Sequence, residues 1–196
     1  MRMFHWLVVA STIALLATGV IAQPGCTAAP PAPPAPAPQV PVGTIREVMH
    51  QIVEESAQAL FDSVAITVSA AGTVEKQPRT TEEWDALEHW ALRLAEAPNL
   101  IKVPGRRVAR PEEENTSAGP TELPPIQIQA KIEANRELFD KYLDALQATG
   151  IEALTAVKAK NVQGLFDVGE KIDVACENCH LEFWYPAEKP QQAPTK

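Results

Sequence analysis

A stretch near the C-terminus, from Asn161 to Pro186, reads NVQGLFDVGEKIDVACENCHLEFWYP. Its apolar residues recur every three or four positions, and this spacing predicts an amphipathic helix with one buried face. Asn161 is a suitable N-cap and Pro186 a suitable stop, so the stretch predicts a long final helix. Cys176, Cys179 and His180 fall on one face of that helix, because residues three and four apart are neighbours.

The run Cys176-Glu177-Asn178-Cys179-His180 has the form C-x-x-C-H, the attachment signature of c-type haem. Two thiols on one helix face can form thioethers with the two haem vinyl groups, and the imidazole can bind the iron. The sequence therefore predicts one covalent haem c, with Cys176 and Cys179 as attachment residues and His180 as the proximal iron ligand. The alternatives are a zinc site, which wants four protein ligands, or a redox-active C-x-x-C, which belongs near a βαβ pattern.

The N-terminus has the layout of a secretory signal peptide over residues 1–22. Arg2 precedes an apolar run that is too short for a comfortable membrane span of about 20 residues. Cleavage after Ala22 would release a periplasmic protein. Cys26 offers an alternative, because a cysteine followed by a Pro/Ala-rich tether is typical of bacterial lipoproteins, although Gln23 stands where such proteins have an aliphatic residue. The chain would then be held at the membrane through a lipid on Cys26.

Composition divides the rest of the chain into a linker, a folded body and a tail. Residues 23–43 are rich in Pro and Ala and predict a semi-rigid spacer. Residues 44–186 predict one domain, and 187–196 a disordered tail. The formal net charge of −8 disfavours nucleic-acid binding. Plain solubility is the favoured explanation of this charge, and steering toward a basic redox partner is the alternative.

Helical periodicity predicts an all-α body. Four amphipathic segments are predicted, at about 44–64, 80–98, 126–159 and from Asn161 onward. Thr80 and Glu83 fit a capping box, Pro98 is expected to end the second helix, and Gly150 to bend or weaken the third. Residues 101–125 predict a long connection or surface insertion. The expected fold is an antiparallel four-helix bundle whose C-terminal helix holds the haem.

With C-x-x-C-H on the last helix, followed by Leu-Glu-Phe-Trp-Tyr, and with the run IREVMH over 45–50, residues 45–185 resemble the cytochrome c′ family. These are the class II c-type cytochromes; class I members place the motif near the N-terminus. The resemblance implies that a first-helix residue faces the open side of the haem. A Met there implies a six-coordinate electron carrier, whereas a bulky apolar residue implies five-coordinate iron that binds nitric oxide or carbon monoxide.

The resemblance indicates which residues would surround the haem. Met49 is the only methionine outside the predicted signal peptide and lies on the apolar stripe, so it is the expected distal ligand, with ordinary core packing as the alternative. Family members often carry a propionate-binding Arg four residues before the distal position. If Arg46 has that role, the residue four positions later is His50, which is the alternative distal ligand. Phe183, three residues after His180, is expected to pack against the porphyrin.

The predicted function is therefore electron transfer by an exported monohaem cytochrome with an unidentified redox partner protein. Binding of a small gas at five-coordinate iron is the alternative. An enzyme is not expected, because His50 is the only candidate for a distal acid–base residue. The resemblance also allows a homodimer. The Pro/Ala tether and the long connections at 65–80 and 101–125 depart from the usual family pattern.

Overall fold

Helices dominate the part of the chain that the structure, a computed structural model, describes: residues 37–117 and 119–188. This confirms the predicted helical character of the body. The elements in chain order are α1 (Ile45–Val48), a π-helical segment (Met49–Glu54), α2 (Glu55–Phe61), β1 (Ala65–Ser69), β2 (Gly72–Lys76), α3 (Thr81–Ile101), a 3₁₀ turn (Pro111–Glu113), α4 (Pro125–Ala134), α5 (Arg136–Lys158), α6 (Val162–Phe183) and a second 3₁₀ turn (Pro186–Glu188).

Several predictions fall wholly or largely on residues that are not described. The signal peptide, Cys26, most of the Pro/Ala linker and the tail beyond residue 188 lie outside the described ranges. Among the helices within those ranges, none combines the length and the apolar character needed to cross a membrane.

The first predicted helix is present as one uninterrupted run over 45–61, here called the N-terminal segment. It begins with a capping box, in which Thr44 Oγ1 accepts from the backbone N–H of Glu47 at 3.1 Å and the Glu47 carboxylate accepts from the N–H of Thr44 at 2.8 Å. Its middle is π-helical, and wide turns of this kind occur frequently at functional sites. Buried Ser56 donates its hydroxyl to the Ile52 carbonyl at 2.5 Å.

A two-stranded antiparallel hairpin follows, where the sequence predicted an irregular connection and no strand. β1 and β2 pair from Ala65↔Lys76 to Ser69↔Gly72, and Gly72 has the positive φ of 122° that favours glycine. Its β-branched residues fit strand geometry. Nearly all positions of both strands are exposed, so the hairpin has no buried face to produce an apolar–polar alternation in the sequence.

The predicted capping box of the second helix is confirmed, but the predicted end at Pro98 is wrong. Thr80 and Glu83 cap the start of α3, which continues to Ile101. Pro98 lies in the last turn, with its ring fully buried. A proline there removes one main-chain hydrogen bond close to the helix end, and burial of its ring in the core offsets that loss.

The third predicted helix is two helices, and the interruption is not at Gly150. α4 ends at Ala134 and α5 begins at Arg136, with Asn135 between them at φ −134° and ψ 41°. Gly150 lies within α5, where a Cβ would come within 2.7 Å of the Ala95 backbone on α3. The glycine therefore permits two helices to approach closely and does not bend the one that contains it.

The core lies where the long helices contact one another. α3 packs on α5, α5 on α6, and α2 on both α3 and α6. The largest fully buried apolar side chains are those of Leu94, Ile101, Ile128, Phe139, Ile172 and Phe183. Each such burial contributes roughly 1.5–3 kcal/mol, so this contact region carries most of the stabilisation.

The segment 102–124, predicted as a surface connection or insertion, also contributes to the core and to the start of the N-terminal segment. Val108 and Ala109 are buried. The Arg107 and Val108 carbonyls accept from the N–H groups of Ile45 and Arg46 at 2.8 and 3.0 Å. These N–H groups have no partner within a helix, so the segment completes the start of α1.

Candidate functional site

The predicted haem-attachment residues lie in the last turns of α6, on a side that is only partly covered. Asn161 begins the helix by accepting from the N–H of Gly164 at 3.0 Å, as predicted. Cys176, Cys179 and His180 are each partly buried, and both cysteines are free thiols. The helix therefore brings two thiols and an imidazole together on one face.

A cavity of about 430 Å³ is lined by this face of α6 and by the N-terminal segment. Cys176 and His180 line it from α6, and Met49 lines it from the beginning of the π-helical segment. Its volume lies within the range of about 300–1,000 Å³ typical of small-molecule and cofactor sites. The remaining apolar and aromatic walls come from Val53, Ala57, Phe61, Trp184 and Tyr185.

Charged residues line the same cavity. The Arg46 guanidinium lies 3.6 Å from a Glu122 carboxylate oxygen and donates to the Thr116 carbonyl at 3.3 Å. His50 Nδ1 lies 2.8 Å from the Glu54 carboxylate, and both of these side chains are largely exposed. Arg46 is thus held by the segment 102–124, whereas His50 is held by its own helix.

A second, much smaller cavity of about 20 Å³ shares Met49, Cys176, His180 and Trp184 with the first. Its other walls are core side chains, among them Phe139 and Leu143, and they are almost entirely apolar. The partly buried Met49 side chain therefore borders both the open cavity and the interior.

Burial changes the acid–base properties of the three motif residues. It raises the pKa of Cys176 to about 11 and of Cys179 to about 12, and nearby acidic groups add to both shifts. Burial also lowers the pKa of His180, against the opposing charges of Glu177 and Glu122. Both thiols are therefore protonated and the imidazole neutral at neutral pH, and a neutral imidazole is the form that binds a metal.

Of the other residues singled out from the sequence, Arg46, Met49 and His50 all line the larger cavity, whereas Phe183 lines neither. Phe183 is fully buried, with its ring centroid 5.2 Å from that of Phe139 and 6.2 Å from that of Tyr142, both edge-on. Its position three residues after His180 directs it into the core of the domain.

Sequence reasoning did not select Glu122, and it did not single out Tyr185 among the aromatic residues near the motif. Glu122 comes from a connecting segment with no periodic pattern, and its ion pair with Arg46 shows its place in the structure. Tyr185 follows the end of α6, where the N–H groups of Trp184 and Tyr185 both donate to the His180 carbonyl. The nearby Pro186 was the available signal that the chain turns here.

Comparison with models of protein families, with curated proteins and with solved structures found no match to this chain. Within residues 37–117 and 119–188, no three His, Cys, Asp or Glu side chains gather into a group that could hold a metal ion.

Proposed function

We propose that this protein is an exported monohaem c-type cytochrome of the cytochrome c′ type, a four-helix bundle that transfers electrons to and from a redox partner protein. Cys176 and Cys179 form the thioethers, His180 is the proximal iron ligand, and Met49 is the distal ligand. Arg46 binds a haem propionate. The N-terminal segment, α3, α5 and α6 are the four helices of the bundle.

One observation carries the proposal: Met49 lines the same cavity as Cys176 and His180, from opposite ends of the described chain, and Cys179 joins these three residues around the adjoining smaller cavity. The sequence alone allowed Met49 to be ordinary core filler. A core methionine would be enclosed by packing, whereas Met49 is partly exposed and borders open space shared with His180. A thioether and an imidazole are both ligands found on cytochrome iron.

The residues present fit a haem by their chemistry. The larger cavity joins the Cys176 thiol and a neutral imidazole to an apolar and aromatic wall, which suits a largely apolar macrocycle, and Arg46 supplies a cation for a carboxylate group. The second thiol, Cys179, borders the adjoining smaller cavity. The bound haem would supply an iron that cycles between the ferric and ferrous states. The protein side chains bind it, exclude water from one face and set its potential through ligand identity and burial.

The raised thiol pKa values argue against a redox-active C-x-x-C. Reactive cysteines in such motifs have depressed pKa values because the thiolate is the nucleophile. The pKa values of about 11 and 12 for Cys176 and Cys179 leave little thiolate at neutral pH. A structural zinc site would need four converging protein ligands.

Binding of nitric oxide or carbon monoxide by five-coordinate iron is a second candidate function, favoured by the small apolar cavity. That cavity borders both Met49 and His180, and its volume of about 20 Å³ exceeds the minimum needed to hold one small molecule. If Met49 packs beside the iron without binding it, this space would be available to a diatomic ligand. His50 is the less suited distal ligand, because its side chain is mostly exposed and paired with Glu54.

Optical spectroscopy of the protein matured in a host that attaches c-type haem tests the proposal and separates the two functions. A pyridine haemochrome spectrum of the c type is expected, with low-spin oxidised iron that does not respond to carbon monoxide when reduced. A high-spin spectrum that shifts with carbon monoxide would favour gas binding. A colourless protein would contradict both.

Export is tested independently of haem by mass spectrometry of the mature N-terminus. Cleavage after Ala22 would give a chain that begins at Gln23 and moves freely in the periplasm. A mass that corresponds to lipidated Cys26 would place the same domain on a membrane tether. An intact Met1 in the mature protein would contradict export by signal-peptide cleavage.

A further inference from the structure

The end of α6 folds back over the imidazole that the proposed function assigns to iron. Two consecutive N–H groups, those of Trp184 and Tyr185, donate to the His180 carbonyl at 2.8 and 3.0 Å. This turn places the Tyr185 ring 5.8 Å from the His180 ring, edge-on at 62°, and the Trp184 ring 5.5 Å from it. His180 therefore lies against two aromatic rings that come from its own helix end.

Tyr185 also makes one polar contact that the motif itself does not require. Its hydroxyl donates to the Glu177 carboxylate at 2.8 Å. Glu177 occupies the first variable position of C-x-x-C-H, three residues before His180, so the two side chains are neighbours on the helix surface. The bond holds a carboxylate beside the imidazole, although Glu177 as a residue is exposed and could otherwise extend into water.

A carboxylate near a metal-binding histidine acts on the metal through the ring. Metal-ligating imidazoles become stronger electron donors when the ring N–H donates to a carboxylate or carbonyl, and a carboxylate that lies near the ring without such a bond acts through its charge. The electrostatics of the site agree with this geometry, because the charge on Glu177 opposes the effect of burial on the His180 pKa. Negative charge next to the ligand stabilises the ferric state more than the ferrous state, since ferric iron carries one more positive charge.

We propose that Glu177 and Tyr185 are a positioning pair for His180, in which the tyrosine hydroxyl holds the carboxylate beside the imidazole and so lowers the reduction potential of the iron. This inference rests on the proposed function and deepens it, because it assigns a role to a variable position within the haem-binding motif. The carboxylate supplies the charge, and the Tyr185–Glu177 bond determines where the charge lies.

The test is a potentiometric titration of the full-length haem protein and four variants, three with single substitutions and one that combines Glu177→Gln with Tyr185→Phe. Glu177→Gln removes the charge but keeps an oxygen that accepts from Tyr185. Tyr185→Phe keeps the ring against His180 but removes the hydrogen bond. Glu170→Gln is the matched control, because it makes the same change at an exposed position of α6, more than two turns from His180.

Glu177→Gln is expected to raise the midpoint potential most, and Tyr185→Phe to raise it by a smaller amount, because the freed carboxylate becomes hydrated. Glu170→Gln should shift it least. The double variant should match Glu177→Gln alone, since the bond has no effect once the charge is gone. The melting temperature, measured in parallel, registers any purely structural role.

Three outcomes overturn the inference in distinguishable ways. Absence of covalent haem from the wild-type protein would contradict both this inference and the proposed function. If the wild type carries haem and no variant changes the midpoint potential, the positioning pair is contradicted and the cytochrome proposal remains. Equal shifts for Glu170→Gln and Glu177→Gln would show that only overall charge matters.

Discussion

The contact between α3 and α5 and the contact between the N-terminal segment and α6 are built in opposite ways. At the first, Gly150 brings the backbone of α5 so near to Ala95 that even a methyl group would collide. At the second, the helices leave a cavity of about 430 Å³ lined by Met49, Cys176 and His180. The first pair of helices is in direct backbone contact, and the second pair leaves an open cavity along part of its contact.

The difference indicates that stability and function are carried by different helix contacts. Close packing at the first contact fixes the domain, because core side chains at native density tolerate little change. At the second contact the structure uses a π-helical segment, ion pairs from the segment 102–124 and a folded helix end instead of interlocked apolar side chains. Under the proposed function, changes on the cavity side should therefore affect haem binding, and changes on the packed side should affect folding.

The largest effect is expected when both thiols are removed. Cys176→Ala combined with Cys179→Ala should abolish covalent haem, because no thioether can form, while the helical far-UV circular dichroism persists. Haem staining after denaturing electrophoresis measures the loss. The control is the wild type produced in the same host, and staining of the double variant equal to that control would contradict the assignment.

Met49→Ala should change the iron without unfolding the domain. Loss of the thioether is expected to convert low-spin to high-spin iron that binds carbon monoxide, with a stability cost of about 1–2 kcal/mol for a partly buried side chain. Optical spectra of the oxidised and reduced protein report the spin state. Ile52→Ala, another partly buried change in the same π-helical segment, is the control and should leave the spectrum unchanged; an unchanged Met49→Ala spectrum would remove Met49 as a ligand.

Gly150→Ala should destabilise the packed contact. The added methyl group would lie 2.7 Å from the Ala95 backbone, so the helices must separate at a cost of about 1–3 kcal/mol. Gly169→Ala on α6 is the matched control, because its nearest neighbour is a Phe61 ring carbon at 3.6 Å, an ordinary contact. Its higher helix propensity should leave stability equal or slightly increased. Thermal unfolding compares the two, and equal losses would contradict the distinction.

Glu47→Gln should have the smallest effect, and one that depends on pH. The Thr44 N–H and then the Arg110 guanidinium lower the pKa of Glu47 below its ordinary value of 4.5. The ionised carboxylate therefore stabilises the fold above pH 4.5, and this contribution is lost as the pH falls through the lowered folded-state pKa. The melting-temperature gap between wild type and variant should shrink from pH 7 to pH 3. Glu75→Gln on the exposed hairpin is the control, and a gap that does not change with pH would contradict the assignment.

Helical periodicity and capping predicted most of the fold, because buried stripes and caps are local properties of sequence. The Thr80 capping box and the Asn161 cap are both present. The hairpin was missed because its side chains are exposed on both faces. The role of Gly150 was misassigned because the glycine makes room for a neighbouring helix, and local sequence does not reveal that neighbour.

The candidate site was predicted where its chemistry is concentrated in a short motif and missed where it depends on long-range contacts. Cys176 and His180 follow from the motif, and Met49 followed from the resemblance to the cytochrome c′ family together with its place on the apolar stripe. Glu122 enters the cavity through an ion pair with a residue far away in sequence, and Tyr185 through a turn beyond the helix end. Pairings of this kind are set by tertiary structure.

The most direct test of the account is the mass of the peptide that carries Cys176 and Cys179, isolated by proteolysis of denatured protein from a host that matures c-type cytochromes. If haem is attached as proposed, this peptide retains one haem through two thioether bonds and neither cysteine reacts with an alkylating agent. A peptide without porphyrin, alkylated at both thiols, would contradict it.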